Sequence, residues 1–273
     1  MKKRLSKLLT AGIFISFFLA NSIQADTSDT TSNKLLSGEQ KSADSNPVKY
    51  TILTENFPPF TYIENGKLTG ISTEIVHEIL NRLDMKNIPI KVMPWDEAYE
   101  IALKKNDTII FSVTKIKARE NLFKWVGPIA TNYWYLFSKK SPDPEKKPIS
   151  LKNLSESKKY SIGVQDKGAI YLYLKDKGFT NLVKTVSNKG SAENLLNGKI
   201  QLWGESELPA QSLLKQMNKK PDILQRAFRL RKHNLYIGFN IKSSDSLVEK
   251  FQSTLDQMKN DGTYDKIVNK YYQ

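Results

Sequence analysis

Between positions 112 and 128 the chain reads SVTKIKARENLFKWVGP, two hydroxyls at a strand end followed by a single arginine. Ser112, Thr114 and Arg119 can converge on one small anion. A guanidinium is planar and permanently charged, and it grips a carboxylate through two parallel hydrogen bonds that nearby hydroxyls and backbone amides complete. That is the chemistry of holding an α-carboxylate. By composition alone Arg119 is one of 42 basic residues, and a solvated side chain is the ordinary alternative. Signals for catalysis are sparse. The chain has no cysteine and two histidines, His77 on a predicted helix and His233 further along. It shows no metal-ligand spacing and no glycine-rich phosphate loop, so neither a cofactor nor a metal is expected.

These residues are carried by an α/β chain. Residues 1–7 are basic, 8–20 form an apolar run and 21–25 a small polar tail, the pattern of a cleaved secretory signal peptide too short to span a membrane. Residues 26–47 are rich in Ser, Thr, Asp, Asn and Lys and read as a flexible leader. Lys2, Lys3, Arg4 and Lys7 fall in the signal, which leaves the formal charge of +14 still strongly positive after cleavage. The lysines are dispersed over every segment with no basic stripe, so the charge reads as solubility and attraction to anionic envelope surfaces, and no nucleic-acid partner is expected.

From 48 onward strand and helix signals alternate. Residues 50–54 alternate β-formers, and Phe57-Pro58-Pro59-Phe60 breaks the pattern as a loop. Ser72 is placed to cap a helix in which Ile75, Val76, Ile79, Leu80 and Leu83 recur at helical spacing. A strand at 88–93, a helix at 96–105 and a continuous β-rich run at 108–113, of the kind found in a parallel sheet covered on both faces, complete a βαβαβ unit. A second series follows: strands at 160–164, 182–186 and 200–203, with a helix opened by Gly168 and another capped by Ser191. A strand at 235–241 precedes a helix bearing Val248, Phe251, Leu255 and Met258, for which Ser246 and Glu249 form a capping box. Asp261-Gly262 ends it, and 264–272 form a last helix.

In this order NFPPFTYIENGKLTGISTEI, MPWDEAYEIAL, SVTKIKARENLFKWVGP, IGVQDKGAIYLYL, NGKIQLWGE and SSDSLVEKFQSTLDQMKNDGTYDKIVNKYY make the chain similar to the family 3 extracellular solute-binding proteins, periplasmic receptors for polar amino acids. The resemblance implies a two-lobed periplasmic-binding-protein fold of type II, with two crossing hinge strands and the ligand in the cleft between lobes. Lobe 1 would span 48–131 and return at 236–273, and lobe 2 would span 132–235. The crossings would lie near 131–134 and 233–236. It also implies that Arg119 binds the ligand carboxylate with Ser112 and Thr114, and that Phe57 and Trp95 sandwich the ligand side chain. Trp125, Trp134 and Tyr133 are read mostly as packing.

Two departures qualify the carry-over. Where the family has a hydroxyl after the glycine of the lobe 2 turn, this chain has Gly168-Ala169, so a backbone amide is left to meet the carboxylate. The family's ammonium-binding aspartate falls near Ser206, flanked by Glu205 and Glu207. Either glutamate substitutes for it, or both are solvated and the ligand lacks a standard α-ammonium. The resemblance implies a monomer in the periplasm that delivers an amino acid or related carboxylate to an ABC permease, with basic amino acids among the candidates. A sensory module presenting its closed form to a membrane receptor, and a dehydratase using Glu205 or Glu207 as acid, are the alternatives on the same fold.

Overall fold

The structure, a computed structural model, describes residues 50–145 and 147–271. The expected signal peptide, the leader and the end of the last predicted helix lie outside the described residues. Strand β1 (Thr51–Thr54) leads into the hairpin β2 (Tyr62–Glu64) and β3 (Lys67–Thr69), then α1 (Ile71–Arg82), β4 (Ile90–Val92), α2 (Trp95–Lys104) and β5 (Thr108–Thr114). The long β6 (Phe123–Lys139) is followed by β7 (Ile162–Gln165), α3 (Ala169–Asp176), β8 (Leu182–Thr185), α4 (Asn188–Leu196), β9 (Leu202–Ser206) and α5 (Glu207–Gln216). Strand β10 (Leu224–Asn240) and helices α6 (Asp245–Asn260) and α7 (Thr263–Asn269) complete the chain.

Among the described residues the main sheet has the order β4-β1-β5-β10-β6-β9-β7-β8. Its flanks are built alike. β1 lies parallel between β4 and β5, and β7 lies parallel between β8 and β9. Antiparallel β6 and β10 join the flanks, paired from Leu224 opposite Lys139 to Asn240 opposite Phe123. The fold is thus the two-lobed type II arrangement with two crossing strands.

Strand side chains alternate between faces, so each flank carries a core on both sides of its sheet. Ile52, Ile109 and Phe111 face α1 and α6, while Leu53, Ile110 and Val113 pack with Ala98 and Tyr99 of α2. In the other flank Trp134 and Leu136 join Ile162, Leu174 and Leu202, and Phe137 joins Leu195 and Trp203. Helix α6 places Phe251, Leu255 and Met258 into the first flank at i, i+4, i+7, which returns the C-terminus to that lobe.

Three helix starts differ from the sequence reading. α1 begins after Gly70, not at a Ser72 cap; Gly70 has φ 115°, and an added Cβ would lie 2.5 Å from the Phe60 carbonyl oxygen. Ser72 is buried within the first turn. α4 is capped by Ser187, whose hydroxyl accepts from the Gly190 N–H, while Ser191 sits inside the helix and bonds Thr185 Oγ1 at 2.6 Å. α6 is capped by Ser244 accepting from the Leu247 N–H, so no Ser246–Glu249 box forms. In both serine cases the cap is the residue still in extended backbone before the helix, which frees its oxygen for an N–H three residues on. The apolar run of β5 reflects burial on both faces rather than two parallel neighbours, since β10 pairs with it antiparallel. The strand expected at 200–203 lies at Leu202–Ser206, which puts Glu205 and Ser206 at its end.

Candidate functional site

Parallel strands end together, and the side chains at their carboxyl ends face the opposite lobe, the usual place for a ligand in an α/β sheet. Here β1 runs into Glu55 and Phe57, β5 ends in Ser112 and Thr114, β7 runs into Gln165 and Gly168, and β9 ends in Glu205 and Ser206. With Trp95, Arg119, Trp134 and Ala169 they enclose a cavity of about 50 Å³.

Ser112 reaches this cavity through a bulge. Tyr236 lies opposite Val113 and Ile237 opposite Phe111, so Ser112 has no partner in β10 and adopts φ 65°. Bulges beside binding sites re-aim a side chain, and a non-glycine residue in the left-handed region is strained. The Ser112 hydroxyl bonds Thr61 Oγ1 at 2.9 Å.

Arg119 closes a short 3-10 turn, Lys117–Arg119, and is 1% exposed. Its guanidinium lies over the rings of Trp95 (4.7 Å) and Tyr99 (5.0 Å). It donates to the Lys167 carbonyl at 2.8 Å and the Thr114 carbonyl at 3.3 Å, and its Nε has no partner. Among the described residues no carboxylate forms an ion pair with it. Burial lowers its pKa to about 10, which still leaves it charged at neutral pH.

Two carboxyls share the cavity. Burial pushes Glu205 up to about 8, with the charge of Glu55 adding to the effect. Its Oε1 accepts the Ser206 N–H at 2.5 Å, and its Oε2 has no partner. Glu55 is pushed up to about 7, again mainly by burial and against the pull of Gln165 and Arg119. Gln165 Nε2 donates to Glu55 Oε2 at 3.1 Å.

His233 sits behind the cavity on β10, opposite Asn132. Its Nδ1 lies 3.4 Å from Thr114 Oγ1 and its Nε2 lies 3.2 Å from Ser206 Oγ, so one ring links a hydroxyl of each flank. Burial, reinforced by Arg231, depresses its pKa to about 3 and keeps the ring neutral. The lobes also touch directly. The Lys167 carbonyl, in a turn with φ 55°, accepts from both Arg119 and the Trp95 indole (3.2 Å), and Lys167 Nζ pairs with Glu100 at 3.1 Å.

Phe57, Trp95, Ser112, Thr114, Arg119, Gly168, Ala169, Glu205 and Ser206 are therefore brought to one cavity. Glu207 is not. It is the first residue of α5, and the turn into that helix carries its carboxylate to Arg226 on the outer surface. The Arg119 guanidinium covers one face of the Trp95 ring. Trp134, read from sequence as packing, lines the cavity, as do Gln165, Asn188 and Tyr171. A glycine signal marked the Gln165 turn, since a Cβ on Gly168 would lie 2.8 Å from the Gln165 carbonyl oxygen. Nothing in the sequence marked Asn188. Among the described residues no cluster of His, Asp or Glu could hold a metal, and no helix is long and apolar enough to cross a membrane.

Comparison with known proteins agrees with this fold. A probable amino-acid ABC transporter-binding protein of Haemophilus influenzae (strain ATCC 51907 / DSM 11121 / KW20 / Rd) is 24% identical over 98% of this chain and 96% of its own. Among solved structures, a histidine kinase sensor domain with similarity to periplasmic binding proteins superposes with a TM-score of 0.72 at 16% identity, covering 82% of this chain and 96% of that one. An ancestral arginine-binding protein bound to arginine gives 0.69 at 22% identity, covering 82% and 99%. These two show the fold. The curated relatives are named as binding proteins, which supports a binding role without catalysis. A model of the bacterial extracellular solute-binding proteins, family 3, matches residues 50–273, and the chain belongs to that family.

Proposed function

We propose that the chain captures a small carboxylate-bearing solute, an amino acid, between its lobes and delivers it to an ABC permease. The lobes are residues 48–131 with 236–273, and 132–235. One observation carries this reading. Arg119 is fully buried in the cavity with Nε unpartnered and without an ion-paired carboxylate. Carbonyl and ring contacts leave this buried charge without a paired anion, which is costly, and a ligand carboxylate is the group that supplies one with parallel hydrogen bonds. The hydroxyls of Ser112 and Thr114 and the amide end of α3 at Gly168 and Ala169 complete that anion site. Glu205 supplies the complement, since its free Oε2 can accept from a ligand ammonium and would ionise in doing so. Ser206 stands beside it, held by His233. Phe57 lines the same cavity. Export to the periplasm by the N-terminal signal and action as a monomer belong to the same proposal. Thermal denaturation with a panel of L-amino acids tests it, because a ligand that binds only the folded state must raise the melting temperature. A rise with at least one amino acid supports the assignment, and a panel without any rise refutes it.

A further inference from the structure

The space around Arg119 is too small for a whole amino acid. It measures about 50 Å³, against ~30 Å³ for the share of one water in the liquid, which is room for a carboxylate and little more. A second cavity of about 290 Å³ adjoins it, and the two share Glu55, Phe57, Trp95, Gln165, Asn188 and Glu205 as walls. Beyond those shared residues the larger cavity is bounded by apolar side chains from both lobes. Val92 comes from the end of β4 and Met93 and Pro94 from its connection to α2, and Val186, Pro209 and Leu213 come from the other lobe. Asn56, Ser187 and Lys189 add polar groups to its lining. Val186 is 77% exposed. A single exposed aliphatic residue is ordinary, but this one borders an apolar space that continues from the site.

We propose that this second cavity receives the ligand side chain and makes the receptor selective for 2-amino acids with long, largely apolar side chains. The inference rests on the reading of Arg119 as carboxylate anchor. With the carboxylate held there, the remainder of the ligand can enter the adjoining space, where Phe57 and Trp95 are shared walls. Room for about ten waters accommodates a chain of several methylenes. Each methylene moved from water onto those apolar walls strengthens binding about fourfold.

Isothermal titration of the purified chain with L-alanine, L-norvaline, L-norleucine and L-2-aminooctanoic acid measures that increment. Affinity rises about fourfold per methylene in the wild type. Val186→Trp, which fills the space from an exposed position, and Val186→Asp, which places a charge on its wall, both reduce the increment to near zero. If alanine binds and the longer members bind no better, this proposal falls while the anchor reading stands. If the increment survives in both Val186 variants, the side chain lies elsewhere and the proposal falls. If no member of the series binds while another L-amino acid raises the melting temperature, this proposal falls and the anchor reading stands; if no amino acid binds at all, both fail.

Discussion

Replacing Glu205 with glutamine should change how stability depends on pH. Burial holds the Glu205 carboxyl at about 8, against an ordinary value of 4.5. Between those limits the folded chain keeps a proton that the unfolded chain has released. Stability is therefore fully present below pH 4.5 and is lost as the pH rises through about 8. At ~1.4 kcal/mol per pH unit the gap sets a ceiling of roughly 5 kcal/mol. Relaxation of the surroundings when the buried carboxyl ionises reduces this to about 2–3 kcal/mol, or roughly 5–10 °C of melting temperature in a domain of this size. Glutamine keeps an oxygen for the Ser206 N–H and cannot ionise. Glu55, held at about 7, acts in the same direction and remains in the variant. His233 acts in the opposite sense, because a ring held at about 3 loses stability as the pH falls below 6.5. The assay is thermal denaturation of ligand-free wild type and Glu205→Gln at pH 5, 6, 7 and 8. The two curves should lie close together at pH 5 and separate as the pH rises, with the glutamine variant more stable at pH 8. Parallel curves would refute the reasoning and place Glu205 in contact with solvent.

Two further outcomes follow from the geometry. Trp95 lines the cavity with its ring against the Arg119 guanidinium, so ligand entry should shift tryptophan fluorescence, Trp95→Phe should remove that shift, and Trp95→Ala should weaken binding by about 1–3 kcal/mol; a full shift in Trp95→Phe would assign it to Trp134 or another tryptophan. Gly70 anchors the Phe57 loop to α1 through the Ile71 and Ser72 N–H groups, and its φ of 115° leaves no room for a Cβ; Gly70→Ala should lower stability by about 2–4 kcal/mol in urea denaturation, and an unchanged midpoint would contradict that close approach.

What the sequence could disclose depended on whether a residue's role is local. The α6 stripe of Phe251, Leu255 and Met258 and the run of β5 are period patterns within one element, and both are legible. The crossing strands are not, apart from short pieces. β6 and β10 each serve two lobes over 17 residues, and register shifts at Arg226/Phe228, Arg229/Arg231 and Leu235/Ile237 break their alternation. Helix caps were misplaced where two polar residues compete, as with Ser187 and Ser191, since the winner is decided by where the backbone leaves the extended conformation. Arg119 stood out because its motif is local to one strand end. Trp134, Gln165 and Asn188 reach the same cavity from β6, β7 and α4, three separate segments of one lobe that only its tertiary packing brings together. Glu205 could be told from Glu207 only once the end of β9 was located.

The central claim is that Arg119 holds the carboxylate of an amino acid. Calorimetric titration of Arg119→Ala with an amino acid that stabilises the wild type tests it most directly, alongside a melt of both ligand-free proteins. A charge-assisted contact buried by closure is worth about 2–5 kcal/mol, which is roughly 30-fold to several-thousand-fold in affinity. Arg119→Ala should therefore show weak or undetectable binding. It should melt close to the wild type, because the loss of its two carbonyl bonds and ring contacts is offset by removing a buried cation that has no ion-paired carboxylate in the ligand-free chain. Undiminished affinity in a folded Arg119→Ala protein would contradict the account.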